Sequence, residues 1–386
     1  MQWASVLHED ASAELATTGA AQALKSRLEG EPDLVFAFVS PHHREHAEAI
    51  PDWIRETFSG VPVVGCTGGG IVGEGREIEG EPAITLVGAE LPGVEIGIHS
   101  LDDDLPGGPG AWHAELFPAP DEAPAFLLLP DPFSFDPDGC VEGLDEAFPG
   151  SVTVGGLASG GRSPGSHLLY AGQTTRHEGA VLVSLQGNIV VDPVIAQGCK
   201  PIGAPMLISS CDRNIILGLD QKSPGDVVRE VFAELEEDDR RLFRSSLFVG
   251  IEMRDQRQYE AGDFLIRNIV GLSPEGDALA IGGPLERWKA VQFHLRDRDT
   301  SAADLRRQLE RHVEAHPKPA GALLFSCLGR GESLYGAPDH DSRLFAEVVG
   351  DVPIGGFFCN GEIGPVGGRT FSHGYTSAFA LFRPRD

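Results

Sequence analysis

The sequence predicts a mixed α/β (α+β) fold in which β-sheets are covered by helices, with repeated strand-loop-helix-strand units at the two ends. Two observations predict it. Three stretches share one plan: a short apolar strand, a loop, a helix, a second apolar strand and a glycine-rich turn. The two outer copies match best, VPVVGCTGGG against VPIGGFFCNGE. Units of this kind build sheets with helices on their faces. The second observation is bulk. At 386 residues the chain exceeds one ordinary core, and with 41% hydrophobic and 23% charged residues it is globular.

The elements follow in order. Residues 11–28 read as a helix, with Leu15, Ala20, Ala23, Leu24 and Leu28 roughly on one face. DLVFAFVS (33–40) is a buried strand. A helix over 43–58 contains Pro51, which marks a kink or a restart. VPVVGC (61–66) is the next strand, and 83–91 with 94–99 read as a hairpin around LPG. The plan then recurs as strand 125–129, helix 139–148 and strand 152–156, which runs into GGLASGG. It recurs again as strand 321–326, helix 342–349 and strand 352–356. Between the second and third copies lie strands at 180–185, 189–195, 215–219, 248–253, 264–270 and 291–295, and helices at 224–235 and 301–315. Ser223 followed by Pro224 is a helix start, serine capping and proline opening the first turn. The expected domains meet there, 1–222 and 223–386.

Charge and cysteine content exclude several partners. A net charge of −28 argues against nucleic acid and against an anionic membrane surface, since both need a basic face. The six cysteines form no CxxC pair and read as reduced thiols. The N-terminal MQWASVLHED lacks an apolar signal region, and no apolar run reaches the ~18 residues of a membrane span. The expectation is a cytoplasmic protein.

Several motifs carry two readings. GGGIVG (68–73) fits a dinucleotide fingerprint, but the polar, strand-like GEGREIEGEP follows where a helix is required, so a glycine turn is the better reading. In HHREH, His42 and His46 are spaced to share a helical face as metal ligands do; with no further ligand evident, a solvated helix start is preferred. FSCLGRG places Arg330 in a glycine loop after a buried strand, where it suits either a carboxylate or phosphate ligand or a structural ion pair. GFFCNGEIGPVGG (356–368) gathers Cys359, Asn360 and Glu362 between glycines. It is either a ligand turn or a tight loop whose Glu362 pairs with Arg330 or Arg369. No Walker A, HExxH or SxxK pattern occurs, and Cys359 with His373 is the nucleophile and base pair to consider.

These residues resemble a known family. ALLFSCLGRG, YGAPDHDSRLFAEVVGDVPIGGFFCNGEIGPVGG and FSHGYTSAFAL are similar to the FIST C-terminal domain. LVFAFVS, VPVVGCTGGGIVGEG, ITLVGAELPGV, VGGLASGG and the segment ending VIAQGCKPIG resemble the FIST N-terminal domain. The resemblance implies a sensory module that binds a small ligand, with amino acids or related metabolites as the expected class, and signals through a separate partner protein. The expected ligand contacts are Cys66, Thr67, Arg330, Cys359, Asn360, Glu362 and His373, between the two halves and against the turns at 66–70 and 359–364. One departure lies at GCTGGG, where the family more often shows GCST-x-GE; Gly69 and Gly70 remove a side chain and a carboxylate. The resemblance also leaves open a haem-based nitric-oxide sensor and an interaction scaffold, and the residues themselves leave open a metal sensor and a cysteine-dependent enzyme built on Cys359 and His373.

Overall fold

The computed structural model describes residues 1–116, 123–254, 258–259 and 262–385. They form two compact units assembled from interleaved stretches. The first holds Met1–Ile195, Leu305–Ser372 and the C-terminal run from Thr376; the second holds Ala196–Asp304 and His373–Tyr375.

The chain opens with β1 (Gln2–Glu9), α1 (Ala13–Arg27) and β2 (Leu34–Val39). Ser12 caps α1 by accepting from the Leu15 amide. A 3-10 turn over Pro41–Ala49 leads into α2 (Ile50–Thr57), so Pro51 marks a restart, as one of the two sequence readings had it. This corrects the pattern in HHREH. In a 3-10 turn, residues i and i+3 share a face and i and i+4 do not. His43, the middle histidine, is buried. Next come β3 (Val63–Thr67), the short pair β4 (Gly70–Gly73) and β5 (Arg76–Glu79), then β6 (Ala83–Glu90) and β7 (Val94–Leu101).

The second copy of the plan follows α3 (Pro109–Glu115). It comprises β8 (Ala125–Pro130), α4 (Pro137–Ala147), β9 (Val152–Gly156), β10 (Leu169–Gly172), β11 (Thr174–Arg176) and β12 (Ala180–Gly187), with β13 (Val190–Ala196) after it. The second unit carries β14 (Cys199–Asp212), β15 (Ile215–Leu219), α5 (Pro224–Glu234), α6 (Glu237–Phe243), β16 (Leu247–Glu252), β17 (Phe264–Leu272), β18 (Leu279–Ile281) and β19 (Ala290–Arg296). Helix α7 (Arg298–Ala315) returns the chain to the first unit. The third copy is β20 (Gly321–Cys327), α8 (Glu332–Tyr335), α9 (His340–Val349), β21 (Ile354–Cys359), β22 (Glu362–Val366), β23 (Arg369–His373) and β24 (Ser377–Arg383).

In the first unit the repeats build three six-stranded sheets, ordered β1-β6-β2-β3-β10-β11, β23-β22-β9-β8-β12-β7 and β13-β24-β20-β21-β4-β5. Each sheet centres on one parallel pair: β2 with β3, β8 with β9, and β20 with β21. A return strand lies antiparallel to the first member of each pair. The second member is flanked by a hairpin lent by another repeat. β4 joins β21, β10 joins β3, and β22 joins β9, so the exchange closes in a ring.

This topology corrects the expected hairpin around LPG. β6 pairs with β1 and β2, while β7 pairs with β12 in another sheet. β6 is buried along nearly its whole length, as a central strand is, whereas β7 is half-exposed, as an edge strand is.

Alternation along the strands sets the layers. Phe36, Phe38, Val64, Leu127, Leu129, Val154, Leu323, Phe325 and Phe357 meet in one core shared by the three sheets. Val35, Ala37 and Val39 face the other way and pack on α1 and α2 through Ala16, Leu24, Ile50 and Ile54. Phe126 and Leu128 do the same against α4. Phe345 of α9 stacks on Phe379 of β24 at 5.4 Å.

The second unit is a closed barrel, β14-β15-β18-β17-β16-β19. Ile202, Ile216, Val249, Phe293 and Leu295 fill its core, with Val227 and Val231 of α5. Ser223 caps α5 by accepting from the Asp226 amide. Among the described residues no helix is long and apolar enough to cross a membrane.

Candidate functional site

The polar side chains of the first unit concentrate at the carboxyl ends of β20 and β21, the end of an α/β sheet where ligands usually bind. β20 finishes in Ser326 and Cys327, and the chain then turns sharply. The Arg330 amide donates to the Cys327 carbonyl at 2.8 Å, and the Leu328 amide to the Cys359 carbonyl at 3.1 Å. Glycine is required at 331: φ is +64°, and a Cβ would lie 2.2 Å from Glu79 Oε1. That carboxylate instead accepts the Glu332 amide at 2.7 Å and holds the loop.

Arg330 is 1% exposed. Its Nε and Nη2 donate to Asp341 Oδ2 and Oδ1 at 2.7 and 3.0 Å, and its guanidinium lies 5.6 Å from the Tyr335 ring centre. Asp341, on the first turn of α9, also accepts from Ser326 Oγ at 3.3 Å, His340 Nδ1 at 2.9 Å and Ser377 Oγ. Burial alone would raise the Asp341 carboxyl, but the Arg330 charge and these donors outweigh it and hold the group well below the usual range. Of the two readings of Arg330, the ion pair is the arrangement formed here.

Two further acids stand beside this pair. Glu362 is fully buried; its Oε2 accepts the Thr376 amide at 2.9 Å and its Oε1 meets Cys359 Sγ at 3.4 Å. Burial pushes its carboxyl up to about 8, against those donors and the Arg330 charge. Glu77 of β5 accepts both the amide and the hydroxyl of Ser342, at 2.7 and 2.8 Å, through Oε1. Its Oε2 is buried with no hydrogen-bond partner among the described residues. Burial and then the Asp341 charge push Glu77 up to about 7.

The remaining residues expected from sequence divide as follows. Cys359 is buried, with Sγ 3.3 Å from the Ser326 carbonyl, and burial drives its thiol well above the ordinary range. Asn360 is exposed, and its Nδ2 donates to the Ala158 carbonyl at 2.9 Å. Thr67 Oγ1 accepts the Leu168 amide at 3.3 Å. Cys66 sits in the shared apolar core. His373 falls in the second unit, whereas the polar partners of Cys359 belong to the first.

The turns after β3, β9 and β21 are tied together. The Gly69 amide donates to Ser159 Oγ and to the Phe358 carbonyl, and the Asn360 amide to the Leu157 carbonyl. Neighbouring side chains stand close over Gly69 and Gly70. A Cβ there would lie 2.4 Å from Leu328 Cδ2 and 2.6 Å from Phe358 Cδ2. GGGIVG runs into strand β4 and not a helix, with Gly68 and Gly69 forming the turn ahead of it.

A cavity of 400 Å³ borders the cluster. Trp3, Arg27, Glu74, Ser342, Phe345 and Asp351 are among the residues that line it. Arg27 and Glu74 form an ion pair at 2.5 Å. A smaller cavity of 230 Å³ lies in the second unit beside Lys222 and Glu230. Neither is lined by histidine or cysteine. Among the described residues no three His, Cys, Asp or Glu side chains are arranged to hold a metal ion. Buried His167 hydrogen bonds through Nδ1 to Asp131 at 2.8 Å and through Nε2 to the Gly161 amide, so both ring nitrogens are engaged.

Sequence reasoning missed Asp341, Glu77, Ser342 and Ser377. The available signals were the acid-rich APDHDS ahead of a helix and the alternation of Glu77 and Glu79 on one short strand.

Comparison with known proteins matches the FIST N domain over residues 33–222 and the FIST C domain over 224–365. The uncharacterized protein Rv0628c of Mycobacterium tuberculosis is 35% identical over 369 residues, 95% of each chain. The uncharacterized protein Mb0898c of Mycobacterium bovis is 34% identical over 373 residues, 96% of each chain. The F-box/LRR-repeat protein At5g63520 of Arabidopsis thaliana is 31% identical over 137 residues, 32% of this chain and 25% of that one. On both domain models, and on relatives similar from end to end, the chain belongs to the FIST family.

Proposed function

We propose that the protein senses a small polar ligand, an α-amino acid or a related metabolite, whose bound state is read by a separate protein. FIST domains are associated with signal transduction and small-ligand sensing. The observation that carries the finer reading is the cavity set against the buried cluster. Its 400 Å³ falls within the roughly 300–1,000 Å³ of small-molecule sites. Arg27 and Glu74 offer a cation and an anion for the carboxylate and amine of a zwitterion. Ser342 joins the cavity wall to Glu77 and directly follows Asp341 on α9. A ligand that displaces Ser342 therefore acts on the Asp341 clamp around Arg330. Cys359, Asn360 and Glu362 lie at the turn beyond it, with Asn360 exposed where a partner can read it.

A second reading seats the ligand directly on Glu362, with Arg330 taking its carboxylate. An acid titrating near 8 gains most from an incoming amine, and that observation favours it. Thermal-shift measurements with a panel of amino acids and related metabolites test both. A binder at a hundredfold excess over its Kd adds about 2.7 kcal/mol of stability. Loss of the shift in Glu74→Gln supports the cavity. Loss in Glu362→Gln with retention in Glu74→Gln supports the second seat. A panel that never raises Tm removes the main support for sensing of this ligand class.

A further inference from the structure

The parallel register of β20 and β21 sets Cys327 opposite Cys359. Directly opposed residues of neighbouring strands share a face, with backbones about 4.8 Å apart. That lies inside the roughly 4.4–6.8 Å Cα separation of disulfides. The alternation agrees. Leu323 and Phe325 on β20, and Phe357 and Cys359 on β21, all enter the shared core, and Cys327 is the next residue in that phase. Both thiols also meet one carboxyl: Glu362 lies 3.4 Å from Cys359 Sγ and hydrogen bonds with Cys327. Cys327 is partly exposed, while Cys359 is fully buried. The Arg330 guanidinium is near enough to interact with the Cys327 sulfur.

We propose that Cys327 and Cys359 form a peroxide-reactive dithiol, with Cys327 the sulfur oxidised from solution and Cys359 the sulfur that closes the disulfide. Exposure assigns the roles, since only Cys327 is open to solvent. The Cys327 sulfur attacks one peroxide oxygen and the O–O bond breaks. Glu362 takes the thiol proton and passes it to the departing oxygen, so hydrogen peroxide leaves as water and Cys327 becomes a sulfenic acid. The Cys359 sulfur then displaces that hydroxyl. Its proton follows the same route, giving a second water and the S–S bond. The two sulfurs give up two electrons and the peroxide accepts them. Arg330 supplies positive charge beside the oxygen anion that forms. A carboxyl near 8 both gives and takes protons around neutrality, and the raised Cys359 thiol stays protonated until its neighbour is oxidised. Bonding draws the Cβ atoms from about 4.8 to about 3.8 Å, a shift that two strand ends followed by turns absorb locally.

This inference does not rest on the ligand reading, and its test contains no amino acid. Reduced, desalted full-length protein is treated with one equivalent of hydrogen peroxide at neutral pH. It is then quenched with N-ethylmaleimide and mapped by peptide mass spectrometry. Two of the six thiols should disappear together into one Cys327–Cys359 peptide that dithiothreitol releases. Cys359→Ser should stop at a sulfenic acid on Cys327 that dimedone captures. Glu362→Gln should slow disulfide formation at least about tenfold. Peptide mapping of the parent protein needs no variant to fold, so it decides by itself. Full maleimide labelling of Cys327 after peroxide overturns the proposal. So does its linkage to any other cysteine, or Cys359 oxidation that proceeds unchanged in Cys327→Ser.

Discussion

Glu77 and Glu362 keep their protons far above the ordinary carboxyl range because burial penalises their charged forms, and neither owns a full counter-charge. The Arg330 guanidinium stands beside them, and Asp341 already holds it. The two acids therefore tie stability to pH in one direction. An unfolded glutamate titrates near 4.5, so between that pH and about 7 to 8 the folded chain binds more protons than the unfolded one. Their contribution is complete below 4.5 and is lost as pH rises through the folded values. Each costs at most about 1.4 kcal/mol per pH unit across that window. Asp341 works the other way and is lost only in strong acid. Urea midpoints of the parent and of Glu77→Gln/Glu362→Gln at pH values spanning this window should converge at the acid end. The variant should gain on the parent toward the alkaline end. A constant difference between the two proteins sinks the assignment.

Gly65, Gly155 and Gly356 occupy one position in the three repeats. Each faces its parallel partner in register, at Ala37, Leu128 and Leu324. A Cβ at each would lie 1.8, 1.9 and 1.9 Å from the partner's carbonyl oxygen. No side chain fits, and the obstacle is backbone that cannot swing aside. Alanine at any of the three should cost about 3 kcal/mol by chemical denaturation. Gly107→Ala, with nothing within 4 Å, should stay within about 0.5 kcal/mol. A mild effect at all three sites would mean that the strand pairs relax more easily than their register suggests. The repeats themselves were legible because each has a buried strand such as LVFAFV or ALLFS, whose apolar run has one plausible home. The lent hairpins were not. β10, β11, β22 and β23 are short and rich in glycine and polar residues, and the partners that complete them are distant in sequence. Strand β14 was hidden by Pro201, Gly203 and Pro205, around which it shifts register. At the site, the GFFCNGEIGPVGG motif and Arg330 were legible as polar groups among glycines. Asp341 was not, because its role depends on a helix start folding back onto β20.

The two compact units differ in how much of the chain each needs. The barrel draws on Ala196–Asp304 together with His373–Tyr375, and its own apolar core is drawn from the first stretch. Tyr375 packs on Phe248 at 4.3 Å and its hydroxyl donates to Asn268 at 2.6 Å. Residues 196–304 expressed alone should therefore fold and unfold cooperatively in urea, at somewhat reduced stability. Residues 1–195 alone should not give a near-ultraviolet dichroism signal of fixed packing. That fragment leaves β4 and β5 with no third sheet to join, and leaves β9 without β22. A natively packed 1–195 fragment would show that the ring of exchanged hairpins is dispensable. The ring has a plainer meaning as well. Each repeat gives its hairpin to one neighbour and takes one from the other, so a single repeat cut free would have an incomplete sheet and a hairpin with nowhere to go. Its natural remedy would be two more copies of itself. The first unit is in this sense a three-subunit ring written on one polypeptide, with the barrel spliced into the link between its second and third subunits.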